Sequence, residues 1–351
     1  MLSEPWKRKL IYLTPSGALS KVTRPTSLGA EIVVLGRKLY QSKTMNPSYL
    51  WLQKIQGEVR TDELMSDHTS LRIGGPADVF ILPKDIADLQ TILKNKGTAP
   101  LFFLGEGTNL LARDSGIRGI VVSLKEGFKT VSRPLFYKSI DGKEKAVIKV
   151  QAGVKLSYLA KYAARYSLTG IEHLVGIPGS LGGAWTMNAG AEGVDIGQVT
   201  RSITRLTTRG EIEKLKRDQL IFNYRKTQFP AGHGLLIEGE IELEKGDAVE
   251  IQNTMDEHLA KRSSRQPLTV PNSGSVFKNP EGDTAGRLIE SAGLKGKTIG
   301  SAGVSIKHAN FIVNKGGAKA TDVLKLIRLI KEEVKEKTGV ELELELVVAG
   351  E

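Results

Sequence analysis

Two glycine-rich stretches carry the residue types that suit a phosphorylated ligand. The longer one, residues 176–193, reads GIPGSLGGAWTMNAGAEG. Glycine has no Cβ and tolerates positive φ, so such a segment lets backbone N–H groups approach a flat or phosphorylated ligand closely. Ile177, Leu181 and Trp185 interleave the glycines, whereas a flexible linker is polar throughout. The composition therefore predicts a ligand-facing loop.

The shorter stretch, residues 105–109, reads GEGTN and follows a predicted strand at 101–104. Its backbone and the side chains of Thr108 and Asn109 offer donors that suit a pyrophosphate. Neither stretch is a P-loop, because no glycine is followed by Lys-Ser/Thr at the required spacing. Neither gives the G-x-G-x-x-G fingerprint with an acidic residue about 20 positions on. The two stretches together predict a long cofactor held in a cradle of another kind.

Composition restricts the class of protein. The chain has 351 residues, of which 40% are hydrophobic and 25% charged, as in a soluble protein of two or three domains. No run approaches the roughly 20 apolar residues of a membrane span, so no membrane association is expected. The chain has no cysteine, which excludes disulfides, thiolate catalysis and a cysteinyl cofactor link. Its five histidines lack ligand spacing, so no metal site is predicted.

The net charge of +11 raises the possibility of a nucleic-acid partner. Residues 1–45 hold eight Lys and Arg against two Glu, and the rest of the chain shows no dense basic stripe. A modest positive surplus also suits an anionic small substrate. We therefore expect no nucleic acid, and we predict that residues 1–45 are a basic, disordered extension.

The elements that position these loops follow from periodicity and capping signals. Strands are predicted at 79–82, 101–104, 117–124 and 147–152. A helix begins after Asp85 and ends at Gly97, and another is striped by Leu156, Leu159 and Ala163. Two or three strands cover 203–244. The last third of the chain contains a helix after Gly246, a short helix at 285–292, a strand at 311–313, a long helix capped by Thr321 and closed by Gly339, and a final strand at 341–348.

Seven motifs occur in order along the chain: IGGPAD at 73–78, LGEGTNLL at 104–111, GIPGSLGGAWTMNAGAEG at 176–193, FNYRKTQF at 222–229, PNSGSVFKNP at 271–280, AGRLIESAGLKG at 285–296 and HANFIVN at 308–314. Together they resemble the UDP-N-acetylenolpyruvoylglucosamine reductase family, flavoenzymes that complete UDP-N-acetylmuramate for peptidoglycan. The resemblance covers nearly all of residues 60–351 and omits the first 45. The short interval between Arg225 and Ser275 resembles the second, shorter type of the family.

The resemblance implies an α+β fold. Residues 46–245 would form an FAD-binding half of the PCMH/vanillyl-alcohol-oxidase type, with subdomains at about 60–125 and 126–245. Residues 246–351 would form a C-terminal α+β substrate-binding domain. The implied activity is the NADPH-dependent reduction of UDP-N-acetylglucosamine enolpyruvate to UDP-N-acetylmuramate through noncovalently bound FAD. A cytoplasmic monomer is expected.

Hydride delivery to the terminal CH₂ of an enolpyruvyl ether leaves negative charge on the neighbouring carbon and its carboxylate. An electrophile must hold that charge and a proton donor must quench it. Arg225, Ser275 and Glu345 resemble the catalytic residues of the family. The arginine would hold the carboxylate, the serine would donate the proton, and the glutamate would help to stabilise the intermediate. Spacing alone does not separate Glu345 from Glu341 and Glu343 on the same predicted strand face.

The resemblance also implies two binding sets. The FAD-binding residues would be Gly105, Gly107, Thr108, Asn109, Gly176, Ile177, Pro178, Gly179, Ser180, Gly182, Gly183, Asn188, Ala189 and Gly190. The residues for the sugar nucleotide would be Tyr224, Arg265 and Asn279. Glu106 and Glu192 stand where the family usually has glycine and tyrosine, so contacts to the cofactor are expected to differ there.

Two other functions are compatible with parts of the sequence. An oxidase or dehydrogenase on the same flavin scaffold would pass its electrons to oxygen or a carrier. A basic nucleic-acid-binding protein would show salt-sensitive binding and no flavin. The motifs PNSGSVFKNP and YRK favour the reductase, because both belong to the substrate half of the family.

Overall fold

The structure, a computed structural model, describes residues 33–35, 38–40 and 47–351. The chain divides into the units Met1–Leu50 and Trp51–Glu351. In the first unit, strand β1 (Val33–Leu35) pairs antiparallel with β2 (Lys38–Tyr40). The predicted disordered extension at 1–45 lies, apart from this hairpin, outside the described residues.

The first sheet of the second unit has the order β3-β4-β7-β5. Strands β4, β7 and β5 are parallel, and β3 is antiparallel to β4. The elements of this region are β3 (Glu58–Leu64), β4 (Pro76–Leu82), α1 (Ile86–Asn95), β5 (Leu101–Leu104), β6 (Leu110–Ala112) and β7 (Ile117–Ser123). The segment from 105 to 109 leaves the carboxyl end of β5, where ligands of open α/β sheets usually bind.

Helix α1 shows how local sequence defines an element. The side chain of Asp85 accepts a hydrogen bond from the Asp88 N–H at 3.1 Å and caps the first turn. Leu89 and Ile92 lie on its buried face. Gly97 follows the helix with a φ of +56°, a conformation that glycine adopts without strain. These bounds confirm the prediction for this helix.

The second sheet is antiparallel and has the order β14-β13-β17-β9-β8, with β10 also paired to β17. Its region contains β8 (Leu135–Lys138), β9 (Glu144–Gln151), α2 (Leu156–Ala164), β10 (Leu168–Thr169), α3 (Leu181–Met187), β11 (Gly190–Ala191), β12 (Val194–Asp195), α4 (Ile196–Val199), β13 (Thr200–Leu206), β14 (Ile212–Lys216), β15 (Ile221–Asn223), β16 (Lys226–Gln228) and β17 (Leu235–Lys245). Five strands therefore occupy the region where two or three were predicted. The difference lies in the hairpin β15–β16 and in the separation of β13 from β14.

The third sheet has the order β18-β21-β20-β19 and is antiparallel. Its region contains α5 (Ala248–Arg265), β18 (Asn272–Ser275), α6 (Ala285–Ser291), β19 (Thr298–Ile299), β20 (Ala302–Val304), β21 (Phe311–Asn314), α7 (Ala320–Thr338) and β22 (Val347–Ala349). Short 3-10 helices lie at Pro47–Lys54, Met65–His68, Glu172–Leu174 and Arg217–Gln219. No helix in the ranges that the structure describes is long and apolar enough to cross a bilayer.

The chain end returns to the first region. Strand β22 pairs in parallel with β6, with Val347 opposite Leu110 and Ala349 opposite Ala112. A buried cluster joins Leu71, Ile73 and Leu111 to side chains of α6 and α7. The C-terminal region is thus packed against the region that carries the loop at 105–109. The three sheets fall within the three predicted ranges, and the division into domains stays a prediction.

Two predicted elements differ from the structure. Helix α7 begins after Lys319, so Thr321 lies inside its first turn, where its hydroxyl donates to Asp114 Oδ2 at 2.6 Å. The predicted strand at 341–348 is regular only at 347–349, because the backbone of 341–346 bonds irregularly. The N–H groups of Glu345 and Leu346 both donate to the carbonyl of Val276, at 2.9 and 3.2 Å. Gly339 closes α7 with a φ of +74°, as predicted.

Candidate active site

A cleft of about 1070 Å³ gathers most of the predicted site residues. Its walls come from all three sheets and from α5. The predicted residues on its surface are Gly105, Gly107, Thr108, Asn109, Ile177, Pro178, Gly179, Ser180, Gly182, Gly183, Ala189, Gly190, Arg225, Arg265, Ser275, Asn279 and Glu345. Gly176, Asn188 and Tyr224 are the predicted residues that do not line it. Residues far apart in sequence therefore converge on one cavity.

The loop at 105–109 packs closely against the 3-10 helix Met65–His68. A Cβ on Gly107 would lie 1.9 Å from the carbonyl oxygen of His68, and Gly107 has a φ of +64°. The position therefore requires glycine. No acceptor within the described residues receives a hydrogen bond from the backbone N–H of Glu106, Gly107 or Thr108. These groups remain available to an anionic ligand, as a pyrophosphate cradle requires.

The second glycine stretch lies against the first on the cleft surface. Thr108 Oγ1 donates to the carbonyl of Pro178 at 3.1 Å and ties the two loops together. Ser180 caps α3 and accepts from the Gly183 N–H at 3.4 Å. A Cβ on Gly183 would meet only Ser180 Oγ, at 3.6 Å, so the surface at Gly183 is bare backbone. The two loops form adjoining parts of the cleft wall that are poor in side chains.

Gly176 and Asn188 have other roles in the structure. A Cβ on Gly176 would lie 2.5 Å from Cδ of Arg262, so this glycine makes room for the arginine. Asn188 is buried in a left-handed conformation; its Nδ2 donates to the Asn223 carbonyl and its Oδ1 accepts from the Gly197 N–H. The asparagine thereby fixes the end of α3 against the hairpin β15–β16. Contact of either residue with FAD stays a prediction.

Arg225 and Glu345 form an ion pair on the cleft wall. Nε of Arg225 lies 2.8 Å from Oε1 of Glu345, and its N–H is not well aligned with that oxygen. Nη1 of Arg225 donates to the Gly190 carbonyl at 3.1 Å, and its Cζ lies 5.0 Å from the Tyr224 ring. Arg225 occupies the tight turn between β15 and β16 with a φ of +56°, where glycine would be unstrained. The turn thus places a guanidinium at the cleft, and the positive φ of Arg225 strains the backbone there.

Glu345 is the buried member of the three candidate glutamates. Burial raises the pKa of its carboxyl, and the neighbouring Arg225 charge opposes that rise. Asn109 Nδ2 donates to the backbone carbonyl of Glu345 at 3.0 Å, which links the residue to the first glycine loop. Glu343 is 75% exposed and pairs with Lys278, while Glu341 pairs with Lys335 at the surface. The structure therefore separates Glu345 from the two others, which sequence spacing did not.

Ser275 stands at the end of β18, opposite Phe311 of β21. It lines the cleft, and its hydroxyl has no hydrogen-bond partner among the described residues. The next residue, Val276, accepts the Glu345 N–H through its carbonyl at 2.9 Å. The chain therefore keeps the hydroxyl of Ser275 on the same wall as the carboxyl of Glu345.

The three residues predicted for the sugar nucleotide are placed differently. Arg265 ends α5 and lines the cleft, as does Asn279. Asn279 Oδ1 accepts from the Ala285 N–H at 3.1 Å, and its own N–H donates to Tyr224 Oη at 3.5 Å. Tyr224 is 53% exposed and lies outside the cleft lining. Its contact with substrate stays a prediction.

The sequence analysis missed several cleft residues, among them His173, His258, Lys261, Arg262 and His308. His258, Lys261, Arg262 and Arg265 are spaced at i, i+3, i+4 and i+7, which places them on one face of a helix. That spacing was a usable signal. Glu106 and Glu192, the two departures from the family pattern, pair with Lys155 at 3.5 Å and with Lys261.

Comparison with known proteins agrees with this geometry. Residues 77–216 match the model of an FAD-binding domain, and residues 266–349 match the C-terminal domain of UDP-N-acetylenolpyruvoylglucosamine reductase. The UDP-N-acetylenolpyruvoylglucosamine reductase of Shouchella clausii is 42% identical over 304 residues, which cover 86% of this chain and 94% of that protein. The relative in Listeria welshimeri with the same name is 43% identical over 84% of this chain and 96% of its own length.

The fold of this chain also resembles that of a solved structure. The crystal structure of UDP-N-acetylenolpyruvylglucosamine reductase from Thermus caldophilus superimposes with a TM-score of 0.70 at 34% identity, covering 84% of this chain and all of that one. The glycine walls, the free N–H groups and the matched FAD-binding model define an FAD-dependent oxidoreductase with an α+β fold. More particularly, the chain belongs to the UDP-N-acetylenolpyruvoylglucosamine reductase family.

Proposed function

We propose that this chain catalyses the reduction of UDP-N-acetylglucosamine enolpyruvate to UDP-N-acetylmuramate, the peptidoglycan precursor, with NADPH as reductant. The observation that carries the proposal is the Arg225–Glu345 ion pair, on the same cleft wall as the unpartnered Ser275 hydroxyl. Bound FAD would supply the chemistry of hydride transfer from NADPH to the enolpyruvyl group. The glycine loops at 105–109 and 177–183 would hold it through their backbone.

Arg225 binds the carboxylate of the substrate in this proposal. A guanidinium stays charged at neutral pH and presents a planar fork of donors that matches a carboxylate. Fixed in a tight turn, it needs no reorganisation as negative charge develops on the carbon next to that carboxylate. Its ion pair with Glu345 and its bond to the Gly190 carbonyl fix the direction of the fork.

Glu345 acts through its protonated form. Burial raises its pKa and so enlarges the share of the acid form, which can donate a hydrogen bond where a carboxylate would repel the enolate-like intermediate. Ser275 then delivers a proton to the carbon that bears the negative charge, while the terminal CH₂ has gained the hydride. A serine hydroxyl is a weak acid, so its proton must be replaced from a neighbouring group or water as it leaves.

The finer properties are proposals as well. We infer a monomer, because one chain supplies the two glycine walls and the Arg225, Ser275 and Glu345 side chains. Mass measurement by light scattering tests this, and a stable dimer would refute it. A cytoplasmic location fits the nucleotide nature of the proposed substrate and reductant.

An anaerobic absorbance titration tests the proposed function. The purified protein should show a flavin band that NADPH bleaches and that the enolpyruvyl sugar nucleotide restores. A bleached band that only oxygen restores would instead identify an oxidase on the same scaffold. A protein that does not bind FAD would refute the proposal altogether.

A further inference from the structure

The proposed reaction leaves one polar group of the cleft without a role, the imidazole of His308. This residue lines the cleft together with Ser275 and Phe311. Its ring packs against the Phe311 ring, with the two centroids 4.7 Å apart. Phe311 lies directly opposite Ser275 in the pairing of β21 with β18, and residues opposite one another in a sheet point to the same face. The imidazole of His308 and the hydroxyl of Ser275 therefore lie on the same side of the third sheet.

Asn310 connects the two residues through its backbone. Its carbonyl accepts from the N–H of Val276, the neighbour of Ser275, at 2.9 Å. Its N–H donates to Nδ1 of His308 at 3.3 Å. Its side chain binds the same segment, because Oδ1 accepts from the Phe277 N–H at 2.9 Å and Nδ2 donates to the Phe277 carbonyl at 2.8 Å. The ring of His308 is thus fixed relative to the segment that carries Ser275.

The bond from Asn310 also determines which ring nitrogen of His308 carries a proton. A backbone N–H can only donate, so Nδ1 is the unprotonated nitrogen and Nε2 carries the hydrogen of the neutral ring. Burial lowers the pKa of the imidazole, and the Lys295 charge lowers it further, while Glu290, which pairs with Lys295, opposes this. Nε2 has no hydrogen-bond partner among the described residues. His308 therefore offers a neutral N–H donor to the cleft.

We infer that His308 is a positioning residue for proton donation by Ser275, and that its Nε2–H acts through a water molecule held between the two side chains. The inference rests on the proposed function. When the Ser275 O–H bond breaks, its proton forms the new C–H bond and the electron pair stays on the serine oxygen. The water then gives a proton to that oxygen and regains one from solvent. His308 keeps its own proton and donates to the water oxygen throughout, which stabilises the negative charge that develops there.

Two substitutions of His308 separate this role from a structural one. In His308→Gln the side-chain amide can place an N–H donor where Nε2 was. In His308→Asn the side-chain oxygen can replace Nδ1 as the acceptor for the Asn310 N–H, but no donor reaches the Nε2 position. The two variants therefore each keep one of the two hydrogen bonds of the ring, and each is the control for the other.

Rapid-scan absorbance on the FAD-loaded protein measures both half-reactions of each variant. Reduction of the flavin by NADPH should be unchanged in both. Reoxidation by the sugar nucleotide should slow about ten- to a hundredfold in His308→Asn, the effect of losing a hydrogen bond to a developing charge. His308→Gln should keep most of the wild-type rate, because it keeps the donor.

The opposite order, with His308→Asn active and His308→Gln impaired, would show that the ring only fixes the Asn310 backbone and would overturn the inference. Equal slowing of both half-reactions would do the same. So would a raised KM for the sugar nucleotide at an unchanged limiting rate, which would assign His308 to substrate binding. If both variants slow reoxidation alone, the solvent deuterium isotope effect decides. It should rise in both, because proton supply to Ser275 has become slower, and an unchanged isotope effect would refute the role.

Nitrogen NMR on histidine-labelled protein gives a test that needs no turnover. At pH 7 the ring of His308 should show a protonated Nε2 and an unprotonated Nδ1, assigned by the signals that disappear in His308→Gln. A protonated Nδ1 would overturn the inference, because the Asn310 N–H would then have lost its acceptor.

The failure of this inference is separable from failure of the proposed function. If the wild-type protein reduces the sugar nucleotide and His308→Asn does so at the same rate, only the role of His308 is refuted. If the wild-type flavin is never reoxidised by the sugar nucleotide, the proposed function itself is refuted, and the role of His308 that rests on it falls as well.

Discussion

At the scale of single residues, the site depends on which groups the positive charge of Arg225 contacts. The guanidinium contacts Glu345 through Nε and the Gly190 carbonyl through Nη1. Burial favours the neutral form of Glu345, whereas Arg225 favours the charged form. When a substrate carboxylate binds Arg225, its negative charge offsets part of the arginine's positive charge. Arg225 then lowers the pKa of Glu345 less. Binding of a carboxylate to Arg225 should therefore raise the pKa of Glu345 further.

The protonation of Glu345 gives a pH prediction. Because its pKa lies above the usual value of 4.5 and its acid form is the active one, reoxidation of the reduced flavin by sugar nucleotide should slow as pH rises through that pKa. Glu345→Gln keeps a hydrogen-bond donor that does not titrate. The fall in rate with rising pH should therefore disappear from the stopped-flow pH profile of this variant. Glu343→Gln, at the exposed neighbouring position, should keep the wild-type profile. An unchanged fall in rate with rising pH in Glu345→Gln would contradict the assignment.

Ser275 gives a prediction that separates the two halves of the reaction. Ser275→Ala should leave reduction of the flavin by NADPH unchanged, because no proton reaches the substrate in that step. Reoxidation by the sugar nucleotide should slow by about 10²- to 10⁴-fold, the usual contribution of a proton donor. Rapid-scan absorbance measures both rates on one sample, so the first rate is the internal control. Equal loss of both would mean that the serine only shapes the cleft.

At the scale of elements, sequence predicted what is local and missed what is distant. The cap of α1 by Asp85 and the closure of α7 by Gly339 involve neighbours in the chain, and both were predicted. The pairing of β22 with β6 joins residues more than two hundred positions apart, which periodicity cannot reveal. The acid–apolar alternation at 341–348 suggested one regular strand. In the structure the N–H groups of Glu345 and Leu346 bond to the carbonyl of Val276, and Glu345 is the one glutamate of this segment that lines the cleft.

The same limit applies to the site. Arg225, Ser275 and the glycine loops were identified by resemblance, and the structure brings them to one cavity. Arg262 was missed, because a run of basic residues at a helix end usually faces solvent. Only the packing of α5 against the segment before Gly176 shows that this face lines the cleft. Asn188 differs in the opposite direction. It lies in a motif predicted to face the ligand, but its side chain bonds to the backbone of Asn223 and Gly197.

Asp114 gives a prediction at this scale, because it caps α7 from the loop between β6 and β7. Its carboxylate accepts from the N–H groups of Ala320 and Thr321 at 2.7 and 2.9 Å. Burial raises its pKa, but the hydrogen bonds from Thr321 and Ala320 outweigh this and lower the pKa overall. The cap therefore contributes stability above the ordinary pKa of aspartate, and the contribution is lost as pH falls through the lowered value.

Asp114→Ala should reduce the free energy of unfolding by about 1 kcal/mol at pH 7, the usual cost of losing a helix cap at an exposed site. The difference from wild type should shrink as pH falls below the ordinary aspartate pKa of 3.8 and through the lowered value, because the wild-type carboxylate then takes up its own proton. Urea denaturation at several pH values measures it. Asp218→Ala removes an exposed aspartate without a hydrogen-bonded partner in the described structure, and it should change stability little at any pH. Equal effects of the two substitutions would show that the cap contributes nothing.

At the scale of the whole molecule, one cleft must serve three nucleotides. Its volume of about 1070 Å³ lies just above the usual range for a single-ligand pocket, so we expect it to hold FAD and no more than one further nucleotide at a time. The adjoining glycine loops come from the regions of the first two sheets, and one face of α5 lines the same cleft as Ser275 and Glu345 of the third region. We therefore expect the resident cofactor and the exchanging nucleotides to contact different walls of the same space.

This arrangement predicts a kinetic mechanism in which NADPH and the sugar nucleotide exclude one another. Initial rates at several fixed NADPH concentrations should give parallel double-reciprocal lines, because NADP⁺ must leave before the sugar nucleotide enters. Each substrate should inhibit at high concentration by occupying the form of the enzyme that belongs to the other. UDP should compete with both, because each of the two substrates carries a diphosphate that enters the same cleft. Intersecting lines would require a complex that holds both nucleotides at once, and the cleft would then have to open well beyond the volume seen here.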